Sequence, residues 1–201
     1  LVDRSGSMTG PKWEAASWAV RSLLAGLGED EVFNVGYFDN DVEWFRPRGL
    51  ARGSKDLPEA LSGLARVEPR GGTELGVAFE QALRMPRTRG NFARYVVILT
   101  DGQVTDTGRI FSLAEREARD ADRRRVSVVC IDSAPNESLA VGLAEKGGGE
   151  AVFLTSDPEE SDITTALEEI LEGMARPLRK GLLLCAEKGR IREAAGVKRS
   201  V

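Results

Sequence analysis

Apolar spacing along the chain alternates between the period of a strand and that of a helix. After Gly10, the positions Trp13, Ala16, Val20, Leu23 and Leu24 recur at intervals of three and four, and Pro11 suits a first helical turn. Together they predict a helix from about Pro11 to Ala25. Val32 to Phe38 reads as a strand, Asp39, Asn40 and Asp41 as a turn, and Val42 to Phe45 as the hairpin partner. A looser helix is predicted over Asp56 to Ala65, then a loop from Glu68 to Thr73, then an amphipathic helix from Leu75 to Arg84. Tyr95 to Thr100 is rich in β-branched residues and apolar on both faces, as a central parallel strand is. A charged helix over Arg109 to Arg124, a strand over Val126 to Ile131, a helix over Glu137 to Lys146, a strand over Ala151 to Leu154 and a long helix over Glu159 to Met174 complete the pattern. Leu1, Val2 and Asp3 read as the last residues of a first strand whose earlier part is expected upstream.

This order predicts an α/β, doubly wound domain: a mostly parallel central sheet, Rossmann-like, with helices on both faces. Ligands of such sheets bind at the carboxyl ends of the strands. The domain is expected to cover 1–176, because Pro177 blocks continuation of the last helix. Residues 177–201 are expected to add one strand, Leu178 to Cys185, and a polar tail from Ala186 onward, the start of a following domain. Gly147, Gly148 and Gly149 read as a helix stop and turn, and Trp13, Trp18 and Trp44 as helix–sheet packing, with Trp13 near the rim of the binding edge.

Composition removes several function classes. With 201 residues, 41% hydrophobic and 30% charged, the chain has the make-up of a globular domain. A net charge of -4 with scattered arginines lacks the concentrated basic face that nucleic acid requires. No run approaches the roughly 18 apolar residues of a membrane helix. Two cysteines make no disulfide framework, and Cys130 falls in an apolar run where a buried thiol is expected. Histidine is absent, which removes the usual zinc ligand and the general base of most nucleophile triads.

The chemistry-bearing residues sit at predicted strand ends. Asp3, Ser5 and Ser7 alternate in Asp3-Arg4-Ser5-Gly6-Ser7, so in extended backbone their oxygens share one side. Thr100-Asp101-Gly102 supplies another carboxylate at the end of a central strand, and Gly71-Gly72-Thr73 a further hydroxyl from a loop. Hard divalent cations take such oxygen donors. Ser5 or Ser7 as a hydrolase nucleophile would lack a base and a G-x-S-x-G frame. Asp3 as a phosphoryl acceptor would want an aspartate where Ser5 stands. Gly6 to Lys12 and Gly49 to Lys55 place no glycine directly before the lysine, so the phosphate-loop pattern fails. Asp39, Asn40 and Asp41 could ligate calcium, though a hairpin turn explains them more simply.

D-x-S-x-S, then G-G-T, then T-D-G, in that order over about Leu1 to Met174, resembles the von Willebrand factor type A family. The resemblance implies a metal-ion-dependent adhesion site made of Asp3, Ser5, Ser7, Thr73 and Asp101. In it Ser5 and Ser7 bind the ion directly, Thr73 directly or through water, and Asp3 and Asp101 mainly through bridging waters. It implies Mg²⁺, with Mn²⁺ or Ca²⁺ as alternatives, and a protein partner supplying an Asp or Glu carboxylate, with no catalysis. Arg4, Arg70, Gln103 and Asp106 fall at variable positions around such a site and are candidates for partner specificity. Asp-Arg-Ser-Gly-Ser-Met and Leu-Thr-Asp-Gly-Gln most resemble bacterial relatives of the inter-alpha-trypsin inhibitor heavy chains. An alternative role is the partner-grasping subunit of a MoxR or magnesium-chelatase type ATPase complex.

Overall fold

The computed structural model describes residues 1–87, 93–132, 136–154, 185–187 and 190–192. Its main sheet is built from β1 (Val2–Asp3), β3 (Gly36–Phe38), β4 (Val42–Trp44), β6 (Tyr95–Thr100), β7 (Arg125–Ile131) and β8 (Gly148–Leu154), in the order β4-β3-β1-β6-β7-β8. Only β4 runs antiparallel, as the hairpin partner of β3; every other pairing is parallel. The helices are α1 (Pro11–Ala25), α2 (Gly53–Leu64), α3 (Leu75–Arg84), α4 (Thr107–Ala118) and α5 (Glu137–Gly147). None of these is long and apolar enough to cross a membrane.

Period-two alternation divides the core between the two faces of the sheet. Leu99, Val129, Ile131, Val152 and Leu154 pack with Ala16, Val20 and Leu24 of α1 and with Ala60 and Leu64 of α2. Their neighbours Val96, Ile98, Val126, Val128 and Cys130 face the other way, onto Ala78 and Phe79 of α3, Ile110 and Leu113 of α4, and Ala140 and Leu143 of α5. The doubly wound, mostly parallel sheet with helices on both faces is therefore the fold of the chain. Because β1 lies between β3 and β6, the chain reverses its direction of travel across the sheet beside β1. That reversal opens a crevice at the carboxyl ends of the strands.

Several boundaries differ from the periodicity, each for a local reason. The strand over Val32 to Phe38 is two strands: β2 (Val32–Phe33) leaves to pair with β5 (Ala51–Arg52), and only Gly36–Phe38 joins the main sheet. Asn34 makes the break, its side chain accepting from the Val35 and Arg46 amides and donating to the Arg46 carbonyl. Helix α2 starts at Gly53, ahead of Asp56, whose carboxylate reaches back to the Arg52 amide. Asp106 caps α4 through the Arg109 amide, and the helix stops at Ala118 rather than Arg124. The residues after it turn back, the Arg124 amide and guanidinium binding Glu117.

The predicted helix over Glu159 to Met174 and nearly all of the strand over Leu178 to Cys185 lie outside the described residues. In the expected polar tail, β9 (Cys185–Glu187) and β10 (Arg190–Arg192) form an antiparallel pair. Of the tryptophans, Trp13 packs on the core and Trp44 lies over Gly36, whereas Trp18 is exposed rather than packed.

The glycine triplet joins α5 to β8 with no intervening loop. Gly148 takes the left-handed φ of 69° that ends the helix, and a Cβ on Gly149 would stand 2.2 Å from the Val126 carbonyl oxygen. Gly149→Ala is expected to lower stability by about 2 kcal/mol or more through this overlap. Denaturant unfolding measures it, and an unchanged midpoint would show that β7 and β8 are not this close.

Candidate functional site

Four parallel strands deliver an aspartate to the same edge: Asp3 ends β1, while Asp39, Asp101 and Asp132 directly follow β3, β6 and β7. Asp3 is fully buried, its Oδ1 accepting from the Ser5 amide at 2.8 Å and its Oδ2 from the Thr100 hydroxyl at 2.6 Å. Burial raises its pKa above the ordinary value; the hydrogen bonds from Thr100 and Ser5 oppose that, and the nearby charge of Asp101 adds to it. Asp101, 1% exposed, accepts from the Gln103 amide at Oδ1 and from the Lys12 ammonium at Oδ2, at 3.1 and 3.2 Å. All four carboxylate oxygens thus have a donor already.

Ser5 precedes, and Ser7 lies within, a 3₁₀ turn, Gly6–Met8, that leads into α1. Ser5 Oγ and Ser7 Oγ stand 3.0 Å apart, Ser5 buried and Ser7 half-buried. Two adjacent ligands of an octahedral Mg²⁺, each at about 2.1 Å, are also about 3.0 Å from each other. The hydroxyl pair therefore already has the spacing of one octahedral edge. Among the described residues no three acidic, cysteine or histidine side chains gather as they would in a carboxylate cage. What the edge offers a hard cation is neutral hydroxyls in front and engaged carboxylates behind, which fits an ion that keeps part of its water.

Thr73 is brought to this edge by its neighbours. The Arg70 amide donates to the Arg4 carbonyl, the Gly6 amide to the Gly71 carbonyl, and the Glu74 amide to the Asp39 carbonyl. Asn40 Oδ1 accepts from the Gly72 amide, and a Cβ on Gly72 would lie 2.6 Å from that oxygen. Thr73 itself is half-buried, and its side chain makes no hydrogen bond among the described residues. All five sequence-predicted site residues consequently lie on one edge, with Asp3, Ser5, Ser7 and Asp101 locked in place and Thr73 on a loop anchored on both sides.

The rim residues divide. Arg4, expected at the partner-facing surface, is buried: its Nε pairs with Asp39 at 3.1 Å and its Nη1 with Glu43 at 2.8 Å. Arg70 is mostly exposed but also holds Asp39, at 3.0 Å. Gln103 is exposed beside Asp101, and Asp106 is a helix cap. Asp39, Asn40 and Asp41 are bracing: Asp39 accepts from Arg4, Arg70 and the Asp41 amide, so the turn fastens the Thr73 loop.

Sequence reasoning missed Lys12. It lies in the first turn of α1, where the helix dipole disfavours a cation, and that mismatch was the available signal. Its ammonium donates to Asp132 at 2.7 Å as well as to Asp101. Burial works against the charge, but the hydrogen bonds to Asp132 and Asp101 outweigh it and raise its pKa above the ordinary lysine value. Burial also pushes the Cys130 thiol up to about 11, so it is no nucleophile at this edge.

Residues 1–153 match the family model described as von Willebrand factor type A domain. Inter-alpha-trypsin inhibitor heavy chain H4 of Sus scrofa is 27% identical over 189 residues, covering 89% of this chain and 20% of that protein. The chain thus spans about a fifth of the length of this curated relative. Among solved structures, a von Willebrand factor type A protein from Catenulispora acidiphila superposes with a TM-score of 0.68 at 20% identity, over 90% of this chain and 42% of that one. Proximal thread matrix protein 1 from the mussel byssus, solved with a zinc-occupied MIDAS motif, gives a TM-score of 0.63 at 17% identity, over 85% and 43%.

Asp39→Asn would leave Arg4 with only the exposed Glu43 as its counter-charge and is expected to cost about 2 kcal/mol near neutral pH. Burial works to raise the Asp39 pKa, but the Asp41 amide, the Arg70 side chain and the Arg4 charge together bring it below the ordinary 3.8. A carboxylate depressed in the folded state stabilises above its unfolded pKa, and that contribution is lost as pH falls through the folded value. The gap between variant and wild type in denaturant unfolding should accordingly be full above the ordinary carboxylate range, about pH 4, and narrow as the pH falls below it. A gap that stayed constant with pH would contradict this.

Proposed function

The chain belongs to the von Willebrand factor type A family, and from that premise we propose that it is a protein-binding module. It docks an acidic side chain of its partner through a divalent cation held by Ser5, Ser7 and Thr73, with Asp3 and Asp101 behind them. The observation that carries this reading is the Ser5–Ser7 hydroxyl pair, spaced 3.0 Å apart at the sheet crevice, in front of two carboxylates whose oxygens are all engaged.

Each group has a distinct task. Ser5 and Ser7 present neutral oxygens held by a short turn, so they bind an ion without quenching its charge. Asp3 orients that turn through the Ser5 amide and is itself held by Thr100. Asp101 adds negative charge behind the hydroxyls, keeping one oxygen on the Gln103 amide. Thr73 supplies a third hydroxyl from the loop fastened by Arg4, Asp39 and Asn40. A bound Mg²⁺ or Mn²⁺ supplies a position that an outside Asp or Glu carboxylate completes. The byssus protein with zinc in its MIDAS motif supports a divalent metal at this place in the fold. With no histidine in the chain, the serines have no conventional base, and the edge serves docking rather than turnover.

An immobilised library of acidic peptides tests the reading. The chain should retain Glu- or Asp-bearing peptides in Mg²⁺, release them on chelation, and lose them in Ser5→Ala and Asp101→Ala by at least about tenfold in affinity. Retention that survives EDTA and both substitutions would refute the cation bridge.

A further inference from the structure

Among the described residues, Lys12 is the one cation that touches the site's own carboxylates, and the proposed function gives it no task. Its ammonium stands between Asp101 Oδ2 at 3.2 Å and Asp132 Oδ2 at 2.7 Å. The Lys12 side chain is 19% exposed, that of Asp101 is fully buried and that of Asp132 is 14% exposed, so water screens these charges little. The shorter bond is to Asp132, on the strand beyond Asp101, and the longer one to the aspartate that backs the serines. Lys12 also belongs to the segment that carries Ser5 and Ser7: Ser7 lies in the 3₁₀ turn Gly6–Met8, and Lys12 is the second residue of the helix that follows.

From this placement we propose that Lys12 is a resident counter-cation that sets the strength and the charge preference of cation binding at the Ser5–Ser7–Thr73 site. The proposal rests on the metal-binding reading above. An ion held by the serines draws on the negative charge of Asp101, and Lys12 draws on the same charge. The fixed ammonium also repels the ion directly, in proportion to the ion's own charge. The site is therefore weaker than its donors alone would make it, and a trivalent ion is disfavoured more than a divalent one. A purely structural lysine, needed to keep Asp101 in place, would act in the opposite direction, since its loss would loosen the site.

The test is direct titration of the full chain with Mn²⁺ by calorimetry and with Tb³⁺ by luminescence, on wild type, Lys12→Met and Lys12→Arg. Lys12→Met keeps the length of the side chain and removes its charge; Lys12→Gln replaces it if circular dichroism shows that Lys12→Met does not fold. The neutral variant should bind Mn²⁺ about tenfold or more tightly than wild type, and Tb³⁺ should gain by a larger factor. Lys12→Arg, which keeps the charge, should stay within about threefold of wild type. Unchanged or weaker Mn²⁺ binding in the neutral variant overturns the role given to Lys12 while leaving the metal site standing. If neither wild type nor the neutral variant binds Mn²⁺ at millimolar concentration, both readings fall.

Discussion

Two carboxylates, Asp3 and Asp101, lie out of water side by side at the point where the sheet reverses its winding, and their charge has to be compensated from within. The rest of the edge follows from that constraint. The Ser5 and Gln103 amides, the Thr100 hydroxyl and the Lys12 ammonium each take one carboxylate oxygen. To do so, the chain after β1 must turn tightly, and that turn places Ser5 and Ser7 together with their hydroxyls forward. The serine geometry thus follows from holding Asp3, so the hydroxyl pair is set by the fold itself.

A second tier of charge holds the third loop. Arg4, between Asp3 and Ser5 in sequence, meets Asp39, which also takes Arg70. Backbone bonds from Arg70 to Arg4 and from Gly6 to Gly71 then fasten the Thr73 loop against the serine turn. Two arginines meet on Asp39, Lys12 bridges Asp101 and Asp132, and neutral donors hold Asp3 between them, so loop position and the stability of the sheet end are parts of one electrostatic arrangement.

The fold and the convergence of three polar loops on one edge were legible because both depend on short-range pattern. Two-residue alternation in β6 and β7, and intervals of three and four in α1 and α3, mark out the elements. D-x-S-x-S, G-G-T and T-D-G mark three loops that the parallel sheet brings to one edge. What escaped depends on side-chain contacts between segments rather than on periodicity within one. Asn34 splits a continuous-looking strand by binding the backbone of Arg46, and Glu117 ends α4 early by taking Arg124. Arg4 was taken for rim because it is charged and sits in a loop motif, yet Asp39 and Glu43, 35 and 39 residues further along the chain, draw it inward. Lys12 was hidden because its partners lie 89 and 120 residues further along the chain.

The central claim is that neutral hydroxyls, rather than the buried carboxylates, hold the cation. Anomalous diffraction from crystals grown with Mn²⁺ tests it most directly. A single peak in contact with the hydroxyls of Ser5 and Ser7, with the Asp3 and Asp101 carboxylates still on their Ser5, Thr100 and Gln103 donors, is the expected result. A peak ligated directly by both aspartates, or one lying away from this edge, would contradict the account.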